Sequence, residues 1–130
     1  MTLKKIQTGF TMIELLVVTT IIIILSTIGL VSYRVTGQSA RDSKRKADLE
    51  TVRQALVLYR SDEGVYPSGL IGADYDTMTS TLVSEGYLST PKPSDPKSDG
   101  VYVYVGTDDD FTLTATLEKD GPVTYEVKNP

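Results

Sequence analysis

The chain has 130 residues, with 13 Lys and Arg against 17 Asp and Glu, and it contains no His, Cys or Trp. Without His there is no imidazole base or His metal site, and without Cys there is no thiolate nucleophile, zinc knuckle, iron–sulfur cluster or disulfide. The length fits one small domain with an appendage, and a sequence pI of about 4.7 speaks against a nucleic-acid partner.

Charge is spread unevenly. Residues 1–9 sum to +2, residues 10–60 to +3 and residues 61–130 to −9. The chain therefore has a basic stem and an acidic head.

Lys4 and Lys5 precede an apolar run. Leu15 to Tyr33 is uncharged over 19 residues, about 28 Å as a helix at 1.5 Å per residue and close to the ~30 Å hydrocarbon core of a bilayer. Thr19, Thr20, Ser26, Thr27 and Ser32 can bond back to carbonyls one turn earlier, so they do not forbid insertion. A cleaved secretory signal is excluded: its apolar core is shorter, its cleavage site is small-x-small, and the first Ala here is Ala40. Glu14, directly before that run, puts a carboxylate in an apolar segment at a cost of a few kcal/mol, which marks it as functional or paired, the bland alternative being that it snorkels to the headgroups.

The helix is expected to continue beyond the membrane. Ala47, Leu49, Val52, Leu56 and Tyr59, with Ala55 alongside, form an apolar stripe, and Arg45, Lys46, Glu50, Arg53 and Arg60 occupy the rest. Gly64 and Pro67 stop it. Residues 10–63 as one helix would span about 81 Å, a length suited to a strand of a bundle.

Residues 68–100 read as an ordered loop region. It holds one short helix over Thr77–Glu85, with Met78, Leu82 and Val83 inward and Gly86 at its end, then an extended crossing at Pro91, Pro93 and Pro96. Three strands follow, over 101–105, 111–117 and 123–127, joined by Gly106–Asp110 and by Asp120-Gly121-Pro122. The expected fold is α+β: a long N-terminal helix, membrane-spanning in its first half, with a small C-terminal antiparallel three-stranded sheet packed on its second half.

Lys4-Lys5-Ile6-Gln7-Thr8-Gly9 followed by Phe10-Thr11-Met12-Ile13-Glu14 and the apolar run strongly resembles the processing site of the type IV pilin superfamily, which includes pilins and the pseudopilins of type II secretion. Asp62-Glu63-Gly64-Val65-Tyr66-Pro67 and Asp95-Pro96 resemble the head of major pseudopilins, although Lys97-Ser98 stands where Trp-Gly often follows and Val31 where many members carry Pro. The resemblance implies cleavage by a prepilin peptidase between Gly9 and Phe10 and N-methylation of Phe10. It also implies that Glu14 of one subunit holds the Phe10 amine of a neighbour. The chain then divides into a leader at 1–9, a membrane and filament-core helix at 10–33, an amphipathic helix at 34–64 and a head at 65–130.

The function this implies is structural and not enzymatic: a type IV pilus-like filament subunit, whose partners are copies of itself, the peptidase, a membrane assembly platform, minor pilins and, before assembly, lipid. The precursor would lie in the inner membrane, with the head finally outside the cytoplasm in an extracellular or periplasmic filament. Charge counting opposes that orientation, since Arg34, Arg41, Lys44, Arg45, Lys46 and Arg53 follow the span and only two lysines precede it. The major pseudopilin of a type II secretion system is the alternative within the class; a non-polymerising membrane-anchored binding domain is the alternative outside it. The absence of the extended acidic calcium loop of major pseudopilins sets the pilus ahead, and the compact head without a disulfide-closed loop points the other way. No cofactor is expected. Asp108, Asp109 and Asp110 with Asp99 form a weak Ca²⁺ candidate, set against a solvated hairpin turn. Arg41, Lys44, Arg45 and Lys46 are expected to make intersubunit contacts with the acidic heads of neighbours.

Overall fold

A computed structural model describes residues 9–67, 75–119 and 121–130; the expected leader through Thr8 and the part of the expected loop region at 68–74, with Asp120, lie outside the described residues. In chain order the elements are α1 (Met12–Glu63), α2 (Tyr75–Ser84), β1 (Val103–Gly106), β2 (Phe111–Leu117) and β3 (Val123–Lys128). The chain falls into two compact units, Met1–Thr36 and Gly37–Pro130.

The described part of the first unit is helical from Met12, and its apolar side chains are exposed, Ile21 to Ile24 by 50–63%. α1 is long and apolar enough to cross a membrane, and such a surface requires lipid or other apolar helices around it. Three hydroxyls return to the helix backbone: Thr19 Oγ1 donates to Leu16 O (2.9 Å), Thr20 to Val17 O (2.8 Å) and Thr27 to Ile23 O (2.8 Å). This satisfies them where no water would.

In the second unit the sheet is an antiparallel meander in the order β1-β2-β3. Register pairs Tyr104 with Leu113 and Leu113 with Val127, so these three share one face and are buried. They join Leu49, Val52, Ala55 and Leu56 of α1 and Met78 and Leu82 of α2 in one apolar core. The other face carries Val103, Val105, Thr114 and Glu126 toward solvent. Period-2 alternation thus sorts the strands as expected.

Tyrosines fill the core and ground their hydroxyls at its edge. Tyr66 meets Phe111 edge-to-face at 4.8 Å between ring centres, and Tyr75 meets Tyr102 at 5.2 Å. Tyr104 OH donates to Pro67 O and Tyr102 OH to Asp48, each at 2.8 Å. Burial drives both phenols well above their ordinary pKa, so they remain donors.

Both helices end on glycine. Gly64 (φ 82°) donates its N–H to Arg60 O at 2.8 Å. At α2 the N–H of Tyr87 reaches Leu82 O (2.8 Å) and that of Gly86 (φ 86°) reaches Val83 O (3.2 Å), a Schellman closure.

Some details differ from expectation. Ala47 is exposed and Tyr59 only half-buried, whereas Arg45, assigned to the polar side, is buried. α2 begins two residues earlier than predicted; within it Val83 is only half-buried, and Thr79 is fully buried because its Oγ1 bonds back to Tyr75 O at 2.8 Å. β1 starts at Val103 instead of 101 and β3 runs to Lys128.

Candidate functional site

The described part of the N-terminal segment is open. Phe10 is 85% exposed, and a Cβ added at Gly9 would meet nothing within 4 Å. Thr11-Met12-Ile13-Glu14 forms a reciprocal cap at the start of α1. Glu14 N donates to Thr11 Oγ1 (3.2 Å), while Thr11 N and Oγ1 both donate to Glu14 Oε2 (3.3 Å each). Two of the orphan N–H groups of the helix start are thereby satisfied. The T-x-x-E spacing in the sequence is the signature of this cap. Since it lies wholly within residues 11–14, cleavage after Gly9 would leave it standing.

The head holds a buried charge cluster. Arg45, on α1, keeps only 2% of its side chain exposed and forks onto Asp95, Nε to Oδ2 at 2.7 Å and Nη2 to Oδ1 at 2.9 Å. Its Nη1 reaches Asp42 at 2.8 Å and its Nη2 reaches Glu118 at 2.7 Å. Arg41, one turn earlier, is bidentate to Glu118 at 3.0 and 2.6 Å. Asp42 also accepts the backbone N–H groups of Glu118 and Lys119 at 2.9–3.1 Å, fastening α1 to the end of β2. Asp95 accepts the N–H of Lys97 (2.8 Å). Gly100 makes room for it, since a Cβ there would lie 2.2 Å from the Asp95 carboxylate.

The electrostatics follow from this geometry. Burial pushes Asp95 and Asp42 upward, but the Arg45 guanidinium and the backbone N–H donors overcome it and hold both below the usual carboxylate range. Hydrogen bonds from Arg41 and then Arg45 hold Glu118 down at about 2. The hydrogen bond to Asp95 leads those that raise Arg45 above its already high ordinary value. Every group in the cluster is therefore charged at neutral pH, and none is poised to transfer a proton.

The basic stretch divides within the chain. Arg45, expected between subunits, is buried inside its own head, and Arg41 is engaged with Glu118 in the same chain. Lys44 and Lys46 remain exposed; Lys46 lies 5.3 Å from the centre of the Tyr125 ring. The signal for Arg45 was present: Asp42, Arg45, Leu49, Val52 and Leu56 follow one another at spacings of three and four, so the charged pair continues the apolar stripe.

Three of the four Ca²⁺ candidates have contacts within the chain. Asp99 pairs with Lys97 at 3.1 Å, Asp109 leans toward Arg60 at 3.6 Å, and Asp110 caps its own hairpin through the N–H of Phe111 at 2.7 Å. Among the described residues, no three acidic side chains gather where they would hold a metal ion.

Two family models match the chain. The model described as "Type II secretion system (T2SS), protein G" matches residues 34–126, and the model described as "Prokaryotic N-terminal methylation motif" matches residues 4–30. No curated protein and no solved structure matches.

Proposed function

Because the chain belongs to the type II secretion system protein G family and carries the prokaryotic N-terminal methylation motif, we propose that it is the major pseudopilin of a secretion pseudopilus. The family is structural, not enzymatic, and lies within the type IV pilin-like superfamily. The order of the two filament readings is thereby reversed: the head matches the secretion family over residues 34–126, which outweighs the missing calcium loop that had favoured a pilus.

In this reading the precursor inserts through the apolar half of α1, a prepilin peptidase cuts between Gly9 and Phe10, and Phe10 is methylated. The exposed Gly9–Phe10 link supports peptidase access. The processed subunit then leaves the inner membrane for a periplasmic filament built with the other secretion components. Its apolar helix, exposed throughout its first half, passes from lipid to the stems of other subunits, one apolar environment to another. Glu14 meets the new amine of a neighbouring Phe10; a pair at 4 Å attracts by about 4 kcal/mol at an effective dielectric of 20.

The observation that carries the proposal is the head match joined to the N-terminal motif in one chain. Mass spectrometry of the native N-terminus tests it. N-methyl-Phe10 is expected, and intact Met1 in a strain with active peptidase overturns it.

A further inference from the structure

We propose that the cleft between Lys46 and Lys119 docks the anionic headgroup of a membrane phospholipid while the subunit is anchored in the bilayer. This rests on the reading above in which the apolar half of α1 spans the membrane, and adds to it a lipid partner for the head.

The cleft lies wholly within the Gly37–Pro130 unit. Its volume is about 230 Å³, and Ser39, Ser43 and Lys46 of α1 line it with Lys119 and Val123. That is several times the ~30 Å³ share of one water, which leaves room for a phosphodiester. The two ammonium groups supply charge and donors, and the Ser39 hydroxyl supplies a further donor; Ser43 Oγ donates to Ser39 O at 2.9 Å. Asp42 also lines the cleft, but its carboxylate is filled by Arg45 and by the N–H groups of Glu118 and Lys119. Arg41 and Arg45 are likewise consumed by Glu118, Asp95 and Asp42. Lys44, Lys46 and Lys119 are exposed and enter no ion pair among the described residues. The basic surplus at this place is small in number, with Asp120 adjoining it in sequence, but it is the part that faces solvent.

Chain connectivity argues for a lipid as the occupant. The uncharged run ends at Tyr33, which is 81% exposed, and Arg34 follows it, a Tyr-Arg pair suited to the headgroup level. Six residues separate Tyr33 from Ser39, so the covalent chain alone holds the cleft within about 22 Å of that level. A tethered site meets its ligand as an intramolecular event at high effective concentration, and basic residues close to an anionic surface are drawn to it. The net charge of −4 does not oppose this. The exposed acids Asp62 and Glu63 stand at the far end of α1, Glu63 about 26 Å along the helix from Lys46. That is some three times the Debye length of ~8 Å at physiological salt, so the surface senses the lysines and not the acids.

The native chain has no Cys, so a thiol-linked fluorophore reports one position without background. Ala47 is exposed beside Lys46 and Ser61 is exposed at the acidic end, about 21 Å away along the helix. The full chain labelled at A47C or at S61C is reconstituted into vesicles of phosphatidylcholine, alone or with a third phosphatidylglycerol, each holding a trace of lipid with a quencher on its headgroup. The label at A47C is expected to be quenched several-fold more in the phosphatidylglycerol vesicles, and the label at S61C equally in both. K46Q/K119Q, with an unaltered circular dichroism spectrum, is expected to return the A47C label to its phosphatidylcholine level. Salt at about 1 M, where the Debye length falls to ~3 Å, is expected to do the same to the chain without those substitutions. Equal quenching at A47C in the two lipids overturns the proposal without need of any lysine variant. A K46Q/K119Q chain that keeps the full difference overturns the cleft as its source and assigns it to Arg34 and Lys44. Reversal by excess inorganic phosphate at constant ionic strength overturns the lipid as occupant, the cleft then being a site for soluble phosphate. Incorporation without a phosphatidylglycerol effect leaves the membrane-spanning reading intact, whereas a chain that fails to float with either vesicle overturns both.

Discussion

Arg45 shows what a single residue decides in this head. Its guanidinium is almost fully desolvated, and its planar fork matches Asp95 in a way a lysine ammonium cannot. Replacing it by Met leaves Asp95 buried opposite an apolar group, and removing one partner of a buried pair typically costs about 3–5 kcal/mol. The carboxylates of the cluster bind protons less readily in the folded head than in the unfolded chain. Their contribution is therefore complete above the ordinary carboxylate range and is lost as pH falls through their lowered folded values. The head of the wild type is expected to lose stability as pH drops from about 4.5 toward 2, where Glu118 titrates at about 2. Arg45→Met is expected to start lower at pH 7 and to lose the Asp95 part of that acid dependence, while Glu118 keeps its bonds to Arg41 and Asp42 its backbone donors. Urea unfolding of the detergent-solubilised chain across that pH range checks both. An unchanged midpoint in Arg45→Met at pH 7 would mean the cluster contributes nothing net.

At the level of elements, local rules act through particular residues. Gly86 sits at φ 86° and closes α2 with two backbone hydrogen bonds. Nothing lies within 4 Å of an added Cβ, so Gly86→Ala isolates the backbone penalty, roughly 1–2 kcal/mol for an L-residue in the left-handed region. A fall in the melting temperature with an unaltered circular dichroism spectrum at 20 °C is the expected result; an equal or higher melting temperature contradicts the left-handed cap. The same glycine was readable in the sequence as the end of α2, as were the strands through their alternation and the apolar stripe through its spacing. What escaped has a physical reason. Arg45 and Asp42 carry charges, and charge on a helix normally means solvent, so their continuation of the stripe was discounted; their partners Asp95 and Glu118 stand 50 and 73 residues from Arg45. Ala47 reads as part of the stripe by spacing, but Ala is compatible with either face, and only packing decides. The capping role of Glu14 was overshadowed by its position inside an apolar run.

For the whole molecule, charge and direction oppose each other. Six basic residues follow the apolar span within about 20 residues and two precede it, a count that by itself retains the head in the cytoplasm. Folding does neutralise part of that count, because Arg41 and Arg45 are paired inside the head. Yet Asp95 and Glu118, which do the pairing, come from sequence emerging long after the span, so they are absent when orientation is chosen. The apolar half of α1 and the two leader lysines must then set the topology at insertion, with translocation of the head driven against its own basic segment. A reporter enzyme active only outside the cytoplasm, fused after Pro130, is expected to be active. Replacing Lys4 and Lys5 by Ser is expected to reduce that activity several-fold, since nothing basic would then hold the N-terminus inside. Restoring the balance by converting Lys44 and Lys46 to Ser in the same fusion should recover it, because the two changes act on opposite sides of the span. An inactive wild-type fusion would place the head in the cytoplasm and leave no route to a periplasmic filament.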